Sequence, residues 1–197
     1  SLSVKDLSLK SKFKNNIIIY GDTDSKKKLL PNFIDLKTSD KFYFSKTNAY
    51  INEFIKYEKK QKSDLIEIHN RPSYVNNICK YTNSKIIIYF HNDPLSMKGS
   101  VSIKDRQKLL NQTTKIIFNS YWCKSRFFND LNKNEYKNKI EVVHQSTSKI
   151  SVNFNKKKNI ISFIGKLNSS KGYDVFGPAI IKILNEFKDW KAIVIGN

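Results

Sequence analysis

Arginine is nearly missing from this chain. Of 36 basic residues in 197, only Arg71, Arg106 and Arg126 are arginines, against 17 acidic residues and a net charge of +19. Guanidinium forks phosphates and base edges best, so a surplus made of lysine weakens the nucleic-acid reading that the charge invites. Long apolar runs are missing too. The longest are Ile17–Tyr20 and Ile86–Phe90, far below the roughly 18 residues of a membrane span. Cys79 and Cys123 have no CxxC partner and no His at metal spacing. That excludes a disulfide framework and points to free thiols in a reducing compartment. With 6 Gly and 4 Pro, the chain contains neither GxxxxGK[ST] nor GxGxxG. It has no initiator Met and no signal-peptide pattern, so a processed or truncated start is expected.

What is present describes a folded protein. Hydrophobic residues make up 39% and aromatics 13%, too much for a disordered basic tail. The charge is spread evenly: 13 basic and 7 acidic residues in 1–60, 9 and 4 in 61–120, 14 and 6 in 121–197. A binding stripe would be concentrated. An excess of Lys, Asn and Ile with little Arg is what AT-rich coding produces, and this is the leading explanation. An anionic membrane surface comes next, and nucleic acid last.

Short β-branched strings recur at Asn16–Gly21, Lys41–Phe44, Asp64–His69, Lys85–His91, Lys115–Asn119, Lys139–Val143, Asn159–Gly165 and Trp190–Gly196. Several are continuous, which suits strands buried on both faces of a parallel sheet. Helical spacing lies between them. Tyr50, Ile51, Phe54 and Ile55 follow a cap at Ser45 or Thr47, and Val75, Ile78 and Cys79 follow Pro72. Trp122, Phe127, Phe128 and Leu131 line a short helix, and Val175, Ile180, Ile181, Ile183, Leu184 and Phe187 a longer one. Alternating strands and helices predict an α/β fold, a doubly wound Rossmann-like parallel sheet. The apolar pattern lapses near residue 145. This predicts a first domain over 1–145, a linker over 146–158, and over 159–197 one βαβ unit of a second Rossmann-like domain. Two strands and a helix cannot bury a core of their own, so that domain is expected to be truncated or completed by another chain.

In open α/β sheets the ligand site lies beyond the carboxyl ends of the strands. His69 ends one predicted strand, before Asn70-Arg71-Pro72, and His91 ends the next, before Asn92-Asp93-Pro94. Ser120 follows the third. Each alone reads as a cap or turn residue; two of the chain's three His on neighbouring strand ends favour a site. His144 has no such company and reads as structural. A second constellation is Gly165-Lys166-Leu167-Asn168-Ser169-Ser170-Lys171-Gly172. Its backbone N–H groups, a helix N-terminus and two lysines suit an anion, and a βα turn with solvated lysines suits it as well.

These pieces together resemble the family 4 (group 1) retaining glycosyltransferases. Gly165-Lys166-Leu167 to Lys171-Gly172 looks like that family's GRLxxxKG loop, with Lys166 where Arg is usual. Residues 159–197 resemble the first βαβ unit of its donor domain, through to the strand-ending Val194-Ile195-Gly196. Ile68-His69-Asn70-Arg71-Pro72, Phe90-His91-Asn92-Asp93-Pro94 and Phe118-Asn119-Ser120-Tyr121-Trp122 look like strand-end motifs of the acceptor domain. The resemblance runs from about Asp64 to Asn197. The family's early Gly-rich loop is not found after Ile17–Gly21, and its E-x7-E element is absent.

The resemblance implies the two-Rossmann GT-B architecture and transfer of a sugar from a nucleotide-sugar donor with retention. It assigns the donor diphosphate to Lys166, Lys171 and Gly165, the catalytic position to His91, and the acceptor side or cleft to His69, Arg71, Asn92, Asp93 and Ser120. Fixed cations would stabilise the leaving diphosphate, so neither metal nor cofactor is expected. The implied acceptor is a glycan or a lipid-linked molecule of cell-surface polysaccharide or lipopolysaccharide synthesis. The implied place is the cytoplasm, with peripheral contact at an anionic membrane face. As a fragment the chain is expected to be inactive alone. A basic α/β module that binds nucleic acid or another polyanion stands as the alternative, and a regulatory nucleotide-binding domain as a third.

Overall fold

A computed structural model describes residues 2–23, 30–38, 45–146 and 149–196. The expected strand Lys41–Phe44 lies outside the described residues. The chain is an α/β protein built on parallel sheets, and it divides into two compact units, Ser1–Thr147 and Ser148–Asn197. Among the described residues, no helix is long and apolar enough to cross a membrane, and both cysteines are free thiols.

The first unit opens with helix α1 (Leu2–Lys10), then two short parallel strands, β1 (Ile19–Gly21) and β2 (Phe33–Asp35). Helix α2 (Lys46–Lys60) begins where Ser45 Oγ accepts the Asn48 N–H. It then buries Ala49, Ile51, Phe54 and Ile55. Tyr20 of β1 meets the Phe54 ring edge-on at 5.1 Å, and its carbonyl accepts the Tyr50 hydroxyl at 2.8 Å. There follow β3 (Leu65–His69), α3 (Pro72–Ile78), β4 (Lys85–Phe90), α4 (Ile103–Gln112), β5 (Lys115–Phe118), α5 (Tyr121–Phe127) and β6 (Ile140–Val142). Pro72 opens α3, where its missing N–H costs nothing and its φ is already helical.

β3, β4, β5 and β6 form one parallel sheet in that order. Parallel crossovers are right-handed, so a sheet whose order follows the sequence receives all its crossover helices on one face. Burial agrees. Ile66, Ile68, Ile86, Ile88, Phe90, Ile116, Phe118 and Ile140 cluster with Val75, Ile78, Leu109, Leu110 and Phe127. The alternate positions are more open: Leu65 is half exposed and Ile87 and Ile117 are half-buried. The continuous apolar runs are therefore fully buried on one face only.

Helix α4 has three apolar residues, Ile103, Leu109 and Leu110, and shows no clear apolar stripe. Arg106 anchors it instead. Its side chain, 2% exposed, donates from one guanidinium nitrogen to the Phe127 and Asn129 carbonyls at 2.5 and 2.7 Å. Those carbonyls close the C-terminal turn of α5, where helical partners run out. Glu58 does similar work at the end of α2, accepting from Ser63, Thr82 and Ser84 hydroxyls at 2.6 to 2.8 Å. Burial alone would raise its pKa, but these hydrogen bonds outweigh it and hold the carboxyl below its ordinary range.

The second unit is β7 (Ile160–Ile164), helix α6 (Tyr173–Glu186) and β8 (Lys191–Ile195), with β7 and β8 parallel. Phe163 packs against Tyr173 and Phe176 of α6, each at 5.2 Å between ring centres. The opposite sheet face carries Ile164, Ile193 and Ile195, all exposed, and Ile180 is the one buried hydrophobic of this unit among the described residues.

Replacing Arg106 with Met keeps the helical length and removes the guanidinium. Charge-assisted hydrogen bonds of this kind are worth about 1.5–3 kcal/mol, and buried carbonyls would lose their donor. Chemical denaturation should show a loss of about 2–3 kcal/mol; a loss below about 0.5 kcal/mol, the usual range for a surface change, would mean that water replaces the side chain.

Candidate functional site

At the carboxyl edge of the four-stranded sheet three strand ends are tied together. His69 of β3 pairs with Tyr89 of β4 in the parallel register, so His91 lies two residues beyond Tyr89 on the same face. The two imidazoles stack nearly parallel, 13° apart with centroids at 5.1 Å, and His69 Nδ1 lies 2.8 Å from His91 Nε2. Tyr89 lies under His91 at 4.2 Å and donates its hydroxyl to the Val143 carbonyl at 2.5 Å.

Asparagines make the frame. Asn70 takes a left-handed conformation (φ 53°), which Asn tolerates better than most side chains. Its N–H donates to the Tyr89 carbonyl at 3.0 Å and its side-chain oxygen accepts the His91 N–H at 2.7 Å. From β5, Asn119 donates its N–H to the Phe90 carbonyl at 3.0 Å and its side-chain amide to the His91 carbonyl at 2.7 Å. The His91 N–H and carbonyl are thereby each held by an asparagine side chain from a neighbouring strand end.

Two further groups join it. Glu67, two residues before His69 on the same strand face, places Oε1 3.0 Å from His69 Nε2. Gln145, just past β6, brings Nε2 to 2.5 Å from His91 Nδ1. Burial, with the second imidazole beside it, pushes His91 down to about 4, against a smaller opposing pull from Glu67. Burial and the Glu67 carboxylate raise the Tyr89 phenol above its ordinary value.

The other sequence candidates of this unit divide by what they already do. Asp93 caps the turn Pro94–Ser96, accepting the Leu95 N–H at 3.1 Å, and pairs with Arg126 at 3.0 Å. Ser120 caps α5, accepting the Cys123 N–H at 3.2 Å. Both are built into the loops that shape the edge. Arg71 and Asn92 are exposed, and Arg71 donates to the Asn70 carbonyl at 3.1 Å. His144, read as structural, lies at this edge as well. Its Nδ1 donates to the Asn119 carbonyl at 3.1 Å, and its ring meets Tyr121 at 5.8 Å. Glu67 and Gln145 are members the motif reading did not single out. The period of two on β3 would have found Glu67; nothing local in the sequence marks Gln145. Among the described residues no three His, Cys, Asp or Glu converge as metal ligands.

The Gly165–Gly172 loop belongs to the second unit. Gly172 caps α6 at φ 73°, a conformation that favours glycine. Gly196 is required for a different reason: a Cβ there would lie 1.8 Å from the Gly165 carbonyl oxygen. The Lys171, Gly172 and Tyr173 N–H groups donate to carbonyls of the loop itself. The side chains of Lys166 and Lys171 are both exposed at this turn.

No family model matches the chain, and no curated protein matches it. Among solved structures, a chain from the crystal structure of accessory secretory protein 1, 2 and 3 in Streptococcus pneumoniae is similar, with a TM-score of 0.52 at 10% identity. The match covers 75% of this chain and 30% of that one, so this chain spans under a third of its length. At that identity the likeness is one of fold: both are α/β.

A pH dependence of stability follows from His91. In the folded chain it gains its proton near pH 4, in the unfolded chain near 6.5. Between those values the unfolded state binds more protons, so stability is fully present above pH 6.5 and declines as pH falls toward 4. Replacing His91 with Gln should flatten that part of the curve in denaturation midpoints from pH 7 to 4.5. Equal slopes in parent and variant would remove His91 from the account.

Proposed function

We propose that this chain belongs to a glycosyltransferase that moves a sugar from a nucleotide-sugar donor to a glycan or lipid-linked acceptor. Retention at the anomeric carbon and a role in cell-surface polysaccharide or lipopolysaccharide synthesis follow from the sequence resemblance. The observation that carries the reading is the convergence of His69 and His91, with Asn70 and Asn119, at the carboxyl edge of a parallel sheet. That edge is where open α/β folds bind ligands. In this reading His91 lies beside the transferred sugar. His69, Arg71 and Asn92 line the acceptor side, while Asp93 and Ser120 fix the loops that shape it.

The donor diphosphate is the task of the second unit. Its loop offers two exposed ammonium groups on a turn held by Gly165, Gly172 and Gly196. Charge gained by the leaving diphosphate in the transition state is stabilised by fixed cations without a metal. Lys166 in place of Arg keeps the charge and gives up the bidentate fork, so the donor is positioned less tightly. The lysine-rich surface suits an enzyme working at an anionic membrane face in the cytoplasm.

Titration calorimetry with UDP, GDP and ADP as probes tests the donor half. One of them should bind, and Lys166→Ala with Lys171→Ala should weaken that binding at least tenfold, about 1.4 kcal/mol. Undiminished binding by the double variant would sink the phosphate assignment. If none of the three binds, the donor reading fails. In an active enzyme, His91→Ala should reduce turnover more than it reduces stability.

A further inference from the structure

We infer that Glu67, His69 and His91 form a one-directional proton relay, whose receiving end is the lone pair on His91 Nδ1 and whose ligand is a hydroxyl-bearing acceptor. The part concerning the acceptor rests on the transferase reading; the order of protons in the relay does not.

The order follows from distances and donor counting. An ionised carboxylate only accepts, so the 3.0 Å contact of Glu67 Oε1 with His69 Nε2 requires a proton on that nitrogen. A neutral His69 then has a bare Nδ1. The 2.8 Å contact between His69 Nδ1 and His91 Nε2 must be donated by His91. His91 Nδ1 is left bare in turn, and a Gln145 amide nitrogen, a donor, lies against it at 2.5 Å. Every link runs the same way, from Gln145 through both imidazoles to Glu67.

That order prescribes what happens when an acceptor hydroxyl displaces the Gln145 amide. Its O–H bond breaks and a His91 Nδ1–H bond forms. The His91 Nε2–H bond breaks and a His69 Nδ1–H bond forms. The imidazolium charge then rests on His69, with its Nε2–H still on the Glu67 carboxylate. The acceptor oxygen keeps its electron pair for the anomeric carbon, which it meets on the face the diphosphate leaves so that configuration is retained, and the pair of the broken sugar–phosphate bond leaves on the diphosphate.

His91 alone would be a poor base at neutral pH, because burial opposes its charge. Handing the proton on removes that handicap, since the charge moves toward the Glu67 carboxylate in contact with His69. The surroundings are compatible. Tyr89 stacks under His91, Arg71 is engaged with the Asn70 carbonyl, His144 with the Asn119 carbonyl, and Asp93 with Arg126. Glu67 and His69 are positioning residues acting through His91.

Nitrogen-15 NMR of the histidine-labelled chain tests the relay with no substrate. Both His69 and His91 should show a protonated Nε2 and a bare Nδ1 at pH 7.5. On acidification the first proton taken by the pair should appear on His69 Nδ1. Glu67→Gln replaces an acceptor-only group at an exposed position. It should lower the pH of that first step, with the amide spectrum otherwise retained. An Nδ1–H tautomer on His91, a first proton resting on His91, or an unmoved first step in Glu67→Gln would each overturn the relay. In an active transferase, Glu67→Gln should lower kcat and shift its acidic limb while leaving donor KM unchanged. An unshifted limb would likewise overturn it. Failure of the chain to bind UDP, GDP or ADP, with the tautomers as described, would sink the transferase reading and leave the relay standing.

Discussion

The register of β3 against β4 is the constraint from which the first unit follows. Ile66 opposes Ile86 and Ile68 opposes Ile88, and β5 continues the row with Ile116 opposite Ile88. Alternation along a strand then decides both faces together. One face becomes a layer of Ile and Phe against α3, α4 and α5. The other receives Glu67, His69, Tyr89 and His91 in neighbouring rows. A slip of one residue would carry the histidines into the core and the isoleucines out of it, so the hydrophobic layer itself enforces the site.

Sequential strand order adds a second consequence. Crossover helices gathered on one face leave the other more open among the described residues, and the ring stack occupies part of that face. Tyr89 is only 3% exposed although it belongs to the more open side. The two imidazoles and the Val143 carbonyl above its hydroxyl shield it. The candidate site and the local packing are therefore one structure: the imidazoles are also the lid of a residue that would otherwise be wet. Burial of His91 has the same source, and so does its reluctance to take a proton.

The architecture was largely legible because its signal is local. Ile-rich strings mark β3, β4, β5, β7 and β8, while Ser45 or Thr47 and Pro72 mark the starts of α2 and α3. Elements held by something other than apolar period were not. β2 is three residues long, and α4 depends on Arg106, whose partners lie 21 and 23 residues away. Trp122 was read as lining a helix and is 57% exposed, because Cys123 and Phe127 take the buried side of α5. At the site, strand ends could be read but register could not. His69 and His91 were therefore visible as neighbours, while Gln145, 54 residues from His91, fell in a polar stretch that reads as a surface connection.

The scarcity of arginine acquires a structural meaning at the same edge. Arg106 holds the carbonyls that end α5, Arg126 holds Asp93 and lies 5.7 Å over the Trp122 ring, and Arg71 holds the Asn70 carbonyl. Arg106 and Arg126 each serve a helix end or loop where a planar, multiply donating cation reaches two acceptor atoms at once, and Arg71 makes one such bond. Lysine, a point charge on a flexible stem, offers no fork; Lys139 still reaches the Leu110 and Thr113 carbonyls at the end of α4, at 2.7 and 3.3 Å. If composition bias filled the surface with lysine, it filled the positions where one cation is as good as another. The arginines persist where the fork is needed, which argues that they are kept by the fold and that the net charge of +19 is a separate property. Beneath Lys166 and Lys171 the backbone is fixed by Gly172 and by the close approach of Gly196 to Gly165.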